Sequence, residues 1–203
     1  MDSYIKIITE SALEARPIWD EYFLKIAISI ASRASCFKVH AGSVLVKDNR
    51  IIGTGYNGAP CGLKSCLELG MCEKEKITGK DYMDKSRPQT CRGMHSETNA
   101  ISYSIRETDG ATLYATIFPC NDCTKHIIAN KIKRVVFKNF YNENEYDVAL
   151  NKFKEAGVEV CNLNISFKRL IAIDFFAAKE NANFGIWKED EREEVREFLS
   201  PHL

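Results

Sequence analysis

The chain lacks a charge excess of either sign: 28 Lys and Arg residues balance 28 Asp and Glu over 203 residues. A protein that grips a nucleic-acid backbone ordinarily carries a basic surplus that displaces counterions from the phosphates. Its absence argues against nucleic acid and favours a small-molecule substrate. Long apolar runs are also missing. The most apolar stretch, residues 22–31, is broken by Lys25 and falls far short of the roughly 20 residues that cross a bilayer. The opening residues MDSYIKIITESALEARP have no basic start followed by an apolar run, so they do not read as a secretory signal. The expectation is a soluble cytoplasmic protein with no membrane partner. Internal repeats and low-complexity linkers are absent too. An apolar share of 45% with 28% charged residues is the balance of a globular domain, which excludes long disorder.

What the chain does have is eight cysteines. In an intracellular protein of this size, clustered cysteines point to metal or catalysis rather than disulfides. The elements around them follow from periodicity. Residues 17–35 place Trp19, Phe23, Ile26, Ala27 and Ile30 at helical spacing. Ser43–Lys47 and Ile51–Tyr56 are strands joined by a hairpin at Asp48-Asn49. Residues 57–94 read as one long loop rich in Gly, Cys, Pro and charge, and such loops are functional or tied down. Then follow helix Ser96–Arg106, strand Thr112–Ile117, helix Asn121–Asn130, strand Arg134–Phe137, helix Glu145–Ala156 and strand Val158–Val160. Late alternation of strands and helices implies parallel pairing there. The expected fold is α/β, with a mixed five-stranded sheet flanked by helices. Residues 166–203 read as two further helices, the second a charged, solvated one.

Two motifs carry chemistry. CRGMHSETNAI contains His95-x-Glu97, and IFPCNDC contains Pro119-Cys120-x-x-Cys123. One His and two Cys suit zinc, and three protein ligands leave a fourth position for water. Cys120 and Cys123 share a helix face, and Pro119 marks the helix start. Thiolates there gain from the helix dipole. His95 and Glu97 can serve one water only if His95 lies in the turn leading into its helix. Glu97 is then the base that takes a proton from the water and delivers it to the substrate. A lone Cys-x-x-Cys is equally compatible with redox or structural roles; the pair of motifs in this order is the signature of zinc deaminases.

On these residues, and on Gly55-Tyr56-Asn57-Gly58-Ala59-Pro60 and Asn99-Ala100-Ile101, the chain resembles the deoxycytidylate (dCMP) deaminase family from about Trp19 to Val160. The resemblance implies a three-layer cytidine-deaminase-like fold and a catalytic domain over 17–162, with a C-terminal helical extension over 163–203. It implies hydrolytic, zinc-dependent conversion of dCMP to dUMP, feeding thymidylate synthesis. It also implies homo-oligomers, often hexamers, and regulation by dCTP and dTTP. Asn57 matches a family Asn that bonds the sugar, and Tyr141 a Tyr beside the nucleotide pocket. Ser96 departs from the family, which mostly has Ala there. Some members carry a second, structural zinc with cysteines resembling Cys36 and Cys66. Cys36, Cys66, Cys72 and Cys91 are the expected set here, with Cys61 as substitute and free buried cysteines as the alternative. The competing functions are deamination of free nucleosides or of tRNA adenosine, and a non-catalytic zinc-stapled interaction module. Glu97 argues against the last, since a structural site has no use for that carboxylate.

Overall fold

The computed structural model of the chain describes residues 3–12, 15–81, 90–140 and 146–173. Six strands form one sheet: β1 (Ile5–Ile7), β2 (Gly42–Lys47), β3 (Arg50–Tyr56), β4 (Thr112–Ile117), β5 (Arg134–Asn139) and β6 (Glu159–Asn162). Their order is β1-β6-β5-β4-β2-β3. The β2–β3 and β2–β4 pairs are antiparallel; β4–β5, β5–β6 and β6–β1 are parallel. The helices are α1 (Trp19–Ala31), α2 (Cys66–Leu69), α3 (Glu73–Thr78), α4 (Ser96–Ser102), α5 (Asn121–Ala129) and α6 (Tyr146–Glu155).

Alternation along the strands sets the layers. Leu45, Leu113, Val135, Phe137 and Val160 face one side, where Ala100 of α4, Ile127 of α5 and Phe153 of α6 cover them. Val44, Val46, Tyr114, Val136 and Cys161 face the other, under Phe23, Leu24 and Ala27 of α1 and Leu163, Ile165 and Ile173. This is the expected α/β/α sandwich with a mixed sheet. Its buried α1 stripe runs through Phe23, Leu24, Ala27 and Ala31, whereas Trp19 remains half exposed.

Three expectations need correction. The sheet has six strands rather than five, because Ile5–Ile7 adds parallel to β6 with only Ile5 buried. The predicted helix over Ser96–Arg106 ends at Ser102, and the chain turns so that the Ile105 amide donates to Ile52 O at 2.8 Å on β3. The long loop contains two short helices. The Ser65 hydroxyl and Glu68 carboxylate form a reciprocal cap at the start of α2, and Gly70 closes it at φ 66°. The hairpin is as read: Asp48 and Asn49 take φ of 51° and 55°, the left-handed pair of a tight two-residue turn. Of the expected C-terminal helices, residues 167–173 are helical and the remainder lies outside the described residues. Among the described residues, no helix is long and apolar enough to cross a membrane.

Candidate active site

The pairing registers bring three strand ends to one edge of the sheet. Gly42 at the start of β2 is opposite Tyr56 at the end of β3, and Ser43 is opposite Ala115 near the end of β4. Two helices begin at this edge. His95 is the N-cap of α4, in extended conformation at φ −76°, ψ 154°. Its position is fixed by the turn before it, where Gly58 and Met94 exchange backbone hydrogen bonds of 3.1 and 2.8 Å. Asn99 Nδ2 donates to Tyr56 O at 2.8 Å. Gly55 lets α4 lie directly on the sheet, since a Cβ there would collide with Ser96 O and the Ala100 amide.

Cys120 is the N-cap of α5, also extended at φ −68°, ψ 168°. The Phe118 amide donates to Asn139 O at 2.8 Å, so β5 holds the approach to Pro119 and Cys120. Cys123 sits one turn into α5 and is buried, while His95 and Cys120 are exposed at the mouth. Both Sγ atoms lie 3.4 Å from His95 Nδ1, and the three ligand atoms fall within 4.8 Å of one another. Zinc–sulfur and zinc–nitrogen bonds at a tetrahedral angle separate S and N by roughly 3.5 Å. The donor set and its spacing therefore fit a zinc ion with one open position.

Hydrogen bonding from Cys123, and then His95, outweighs burial and pulls the Cys120 thiol down to about 4. The bond to Cys120 pushes His95 up to about 9. Cys123 is pushed up by its bond to Cys120 and by burial. Zinc binding requires deprotonated ligands, so a metal here would displace the protons these groups share. Glu97, in the first turn of α4, is buried, and desolvation raises its carboxyl. That is the direction a general acid–base working near neutral pH requires. Thr98 was not anticipated; its hydroxyl lies 3.7 Å from Cys123 Sγ.

The remaining sequence-derived residues are less closely gathered. Asn57 leaves β3 at the same edge, where its Oδ1 accepts from the Ala41 amide at 2.7 Å and its Nδ2 donates to Val39 O at 2.8 Å. It anchors the loop before β2, keeping one donor and one acceptor valence. Tyr141 lies outside the described residues. Cys66, at the start of α2, is buried; burial pushes its thiol up, and Cys36, Cys72 and Cys91 add to the same shift. These four are neighbours, yet among the described residues only His95, Cys120 and Cys123 form a group of three or more metal-ligating residues within 4.8 Å.

A three-layer α/β fold that sets one His and two Cys at two helix starts, beside a buried carboxyl, defines the class of zinc-dependent deaminases. Residues 17–139 match the family described as the cytidine and deoxycytidylate deaminase zinc-binding region. The chain is 45% identical over 125 residues to the deoxycytidylate deaminase of Mycobacterium phage D29, covering 61% of this chain and 96% of that one. It is 38% identical over 149 residues to the deoxycytidylate deaminase of Schizosaccharomyces pombe, covering 71% of this chain and 44% of that one. The crystal structure of the dCMP deaminase from cyanophage S-TIM5, in complex with dCMP and dUMP, matches with a TM-score of 0.58 at 27% identity. That match covers 73% of this chain and 98% of that one. The chain belongs to the deoxycytidylate deaminase family.

Proposed function

We propose that the protein hydrolyses dCMP to dUMP and ammonia, with the catalytic unit in residues 17–162. The observation that carries this reading is the His95–Cys120–Cys123 triangle beside the buried Glu97. The D29 relative, matched over nearly its whole length, supports the substrate. His95 Nδ1 and the Sγ atoms of Cys120 and Cys123 would hold zinc. When bound, zinc supplies Lewis-acid activation of a water for attack at C4 of the pyrimidine. The Glu97 carboxylate accepts a proton from that water and passes it to N3. Glu97 then moves the second proton to the amino group, which leaves as ammonia. The buried setting of Glu97 and Cys123 keeps bulk water from competing for these protons.

None of these groups senses the substrate's phosphate, so selectivity must come from the pocket wall. Asn57 supports a sugar contact through its remaining valences, and the family resemblance adds Tyr141 as a further candidate contact. A site built around a phosphate loses heavily when its donors are left unpaired. Ammonia release from dCMP, CMP, deoxycytidine, cytidine, dCTP and adenosine tests the assignment. The expected result is a kcat/KM for dCMP at least about 10²-fold above that for deoxycytidine. Equal values would move the protein to the free-nucleoside branch.

The four neighbouring thiols support a second, structural zinc on Cys36, Cys66, Cys72 and Cys91, which would clip α2 and α3 to the loop after α1. Elemental analysis should then find two zinc ions per chain. Cys66→Ser should remove one and lower the melting temperature. One zinc in fully active wild-type protein would exclude the second site.

A further inference from the structure

A pair of buried hydroxyls stands behind Glu97. Ser96 precedes it, and Ser43 lies on β2, 53 residues away in sequence. Both are buried to within 2%. The Ser96 hydroxyl donates to Glu97 Oε2 at 3.0 Å, and Ser96 Oγ lies 2.8 Å from Ser43 Oγ. A hydroxyl has one proton. Since that of Ser96 points to Glu97, the Ser43 hydroxyl must donate to Ser96. The three groups form a directed chain, Ser43 to Ser96 to Glu97.

The geometry of the fold makes this contact. Leu45, two residues beyond Ser43, faces the α4 side of the sheet, and strand alternation places Ser43 on that side as well. Directly opposite Ser43 on β3 is Gly55, the position where a Cβ would strike Ser96 O. At Gly53 a Cβ would strike Ala100 O. Two glycines therefore let α4 descend onto β2 and β3 until the serine hydroxyls meet. Hydroxyls this deep must be partnered, or their desolvation is uncompensated. Here Ser43 is partnered by Ser96, and Ser96 by the carboxylate of Glu97.

We propose that Ser96 and Ser43 are positioning residues for the reaction: they hold Glu97 Oε2 in place, so that the other carboxylate oxygen is presented to the water and the pyrimidine. This rests on the reading of Glu97 as the acid–base. Ser96 acts on the carboxylate directly, and Ser43 acts only by orienting Ser96.

The test is steady-state kinetics on dCMP for Ser96→Ala, Ser43→Ala and the double variant, with zinc content and melting temperature measured on each and Glu97→Gln in parallel. Losing a hydrogen bond to a charged group that must be held in place should lower kcat of Ser96→Ala about 10-fold. KM should stay within about twofold, because the serines touch no substrate. Ser43→Ala should lose less, about threefold, and the double variant should match Ser96→Ala, because Ser43 works through Ser96. Zinc should remain at wild-type level in all three. An unchanged kcat in Ser96→Ala, a change in KM alone, loss of zinc, or additive effects of the two serines would each overturn the proposal. A dead Glu97→Gln beside an unaffected Ser96→Ala removes the serine relay alone. A fully active Glu97→Gln removes the acid–base reading and the relay with it.

Discussion

Glu97→Gln will keep its metal and lose its turnover. The amide has nearly the same shape as the carboxylate, and its oxygen can still accept from the Ser96 hydroxyl that lies 3.0 Å from Oε2. His95, Cys120 and Cys123 are untouched, so zinc content should equal wild type. The amide cannot take a proton and return it, and removal of a general acid–base lowers kcat by at least about 10²-fold. KM for dCMP should change little, because the proton transfers occur after binding. The measurement is kcat for ammonia release, with zinc determined on the same sample. An active variant would show that Glu97 is not the proton carrier; a zinc-free variant would show that it is a ligand.

The second large effect concerns stability. Arg169 and Glu21 are both completely buried, and they pair at 2.9 Å (Nε to Oε1) and 2.8 Å (Nη2 to Oε2). The guanidinium also donates to Ala12 O, Ser11 Oγ and Ala15 O. Glu21 in turn accepts from the Ser11 amide and hydroxyl and from the Ile18 amide. One network thus joins the segment before α1, α1 itself and the helical residues 167–173. Arg169→Ala leaves a carboxylate buried without its counter-charge, and breaking a buried pair in this way destabilises by about 3–5 kcal/mol. That is a large part of the stability of an ordinary domain. Denaturant unfolding should show the midpoint falling sharply, and Glu21→Met/Arg169→Met should recover much of it because no lone charge remains.

The same pair sets an acid limit. Burial alone pushes the Glu21 carboxyl up, but bonds from Arg169, Ser11 and Ile18 outweigh it and hold it at about 2, below its ordinary 4.5. A depressed folded-state pKa contributes stability that is fully present above the unfolded value. Stability should therefore be lost as pH falls from about 4.5 towards 2, by about 3 kcal/mol from this group. In Glu21→Gln that part of the acid dependence should vanish. An unchanged acid profile would show that Glu21 is not the group responsible.

The parts of this protein that local sequence determines are those whose physical cause lies within a few residues. Cys120 and Cys123 come together because Cys120 caps the helix whose first turn holds Cys123, and Pro119 follows the end of β4 just before them. His95 caps α4 because an extended residue must precede the first turn, and that leaves Glu97 in the turn itself. Asp48-Asn49 makes the hairpin because those two side chains tolerate positive φ. The His/Cys/Cys group, the buried carboxyl beside it and the alternation of elements were legible for this reason. Even the Ser65–Glu68 cap within the supposed loop had its signature in the chain.

Only the tertiary structure decided what depends on partners far away in sequence. Ile5–Ile7 has one buried side chain and becomes a strand only because β6, more than 150 residues on, offers an edge. Arg169 meets its counter-charge only when the fold sets Glu21, 148 positions earlier, against it. Asn57 looked free to face a ligand, yet the fold spends part of its amide on the backbone of residues 39 and 41. Ser96 departs from the family's Ala, and the close approach of α4 to Gly53 and Gly55 sets it between Ser43 and Glu97. Helix and turn preferences act through neighbouring dihedrals and leave a pattern along the chain. A buried hydrogen bond or ion pair is made by two surfaces meeting, and neither surface alone specifies the other.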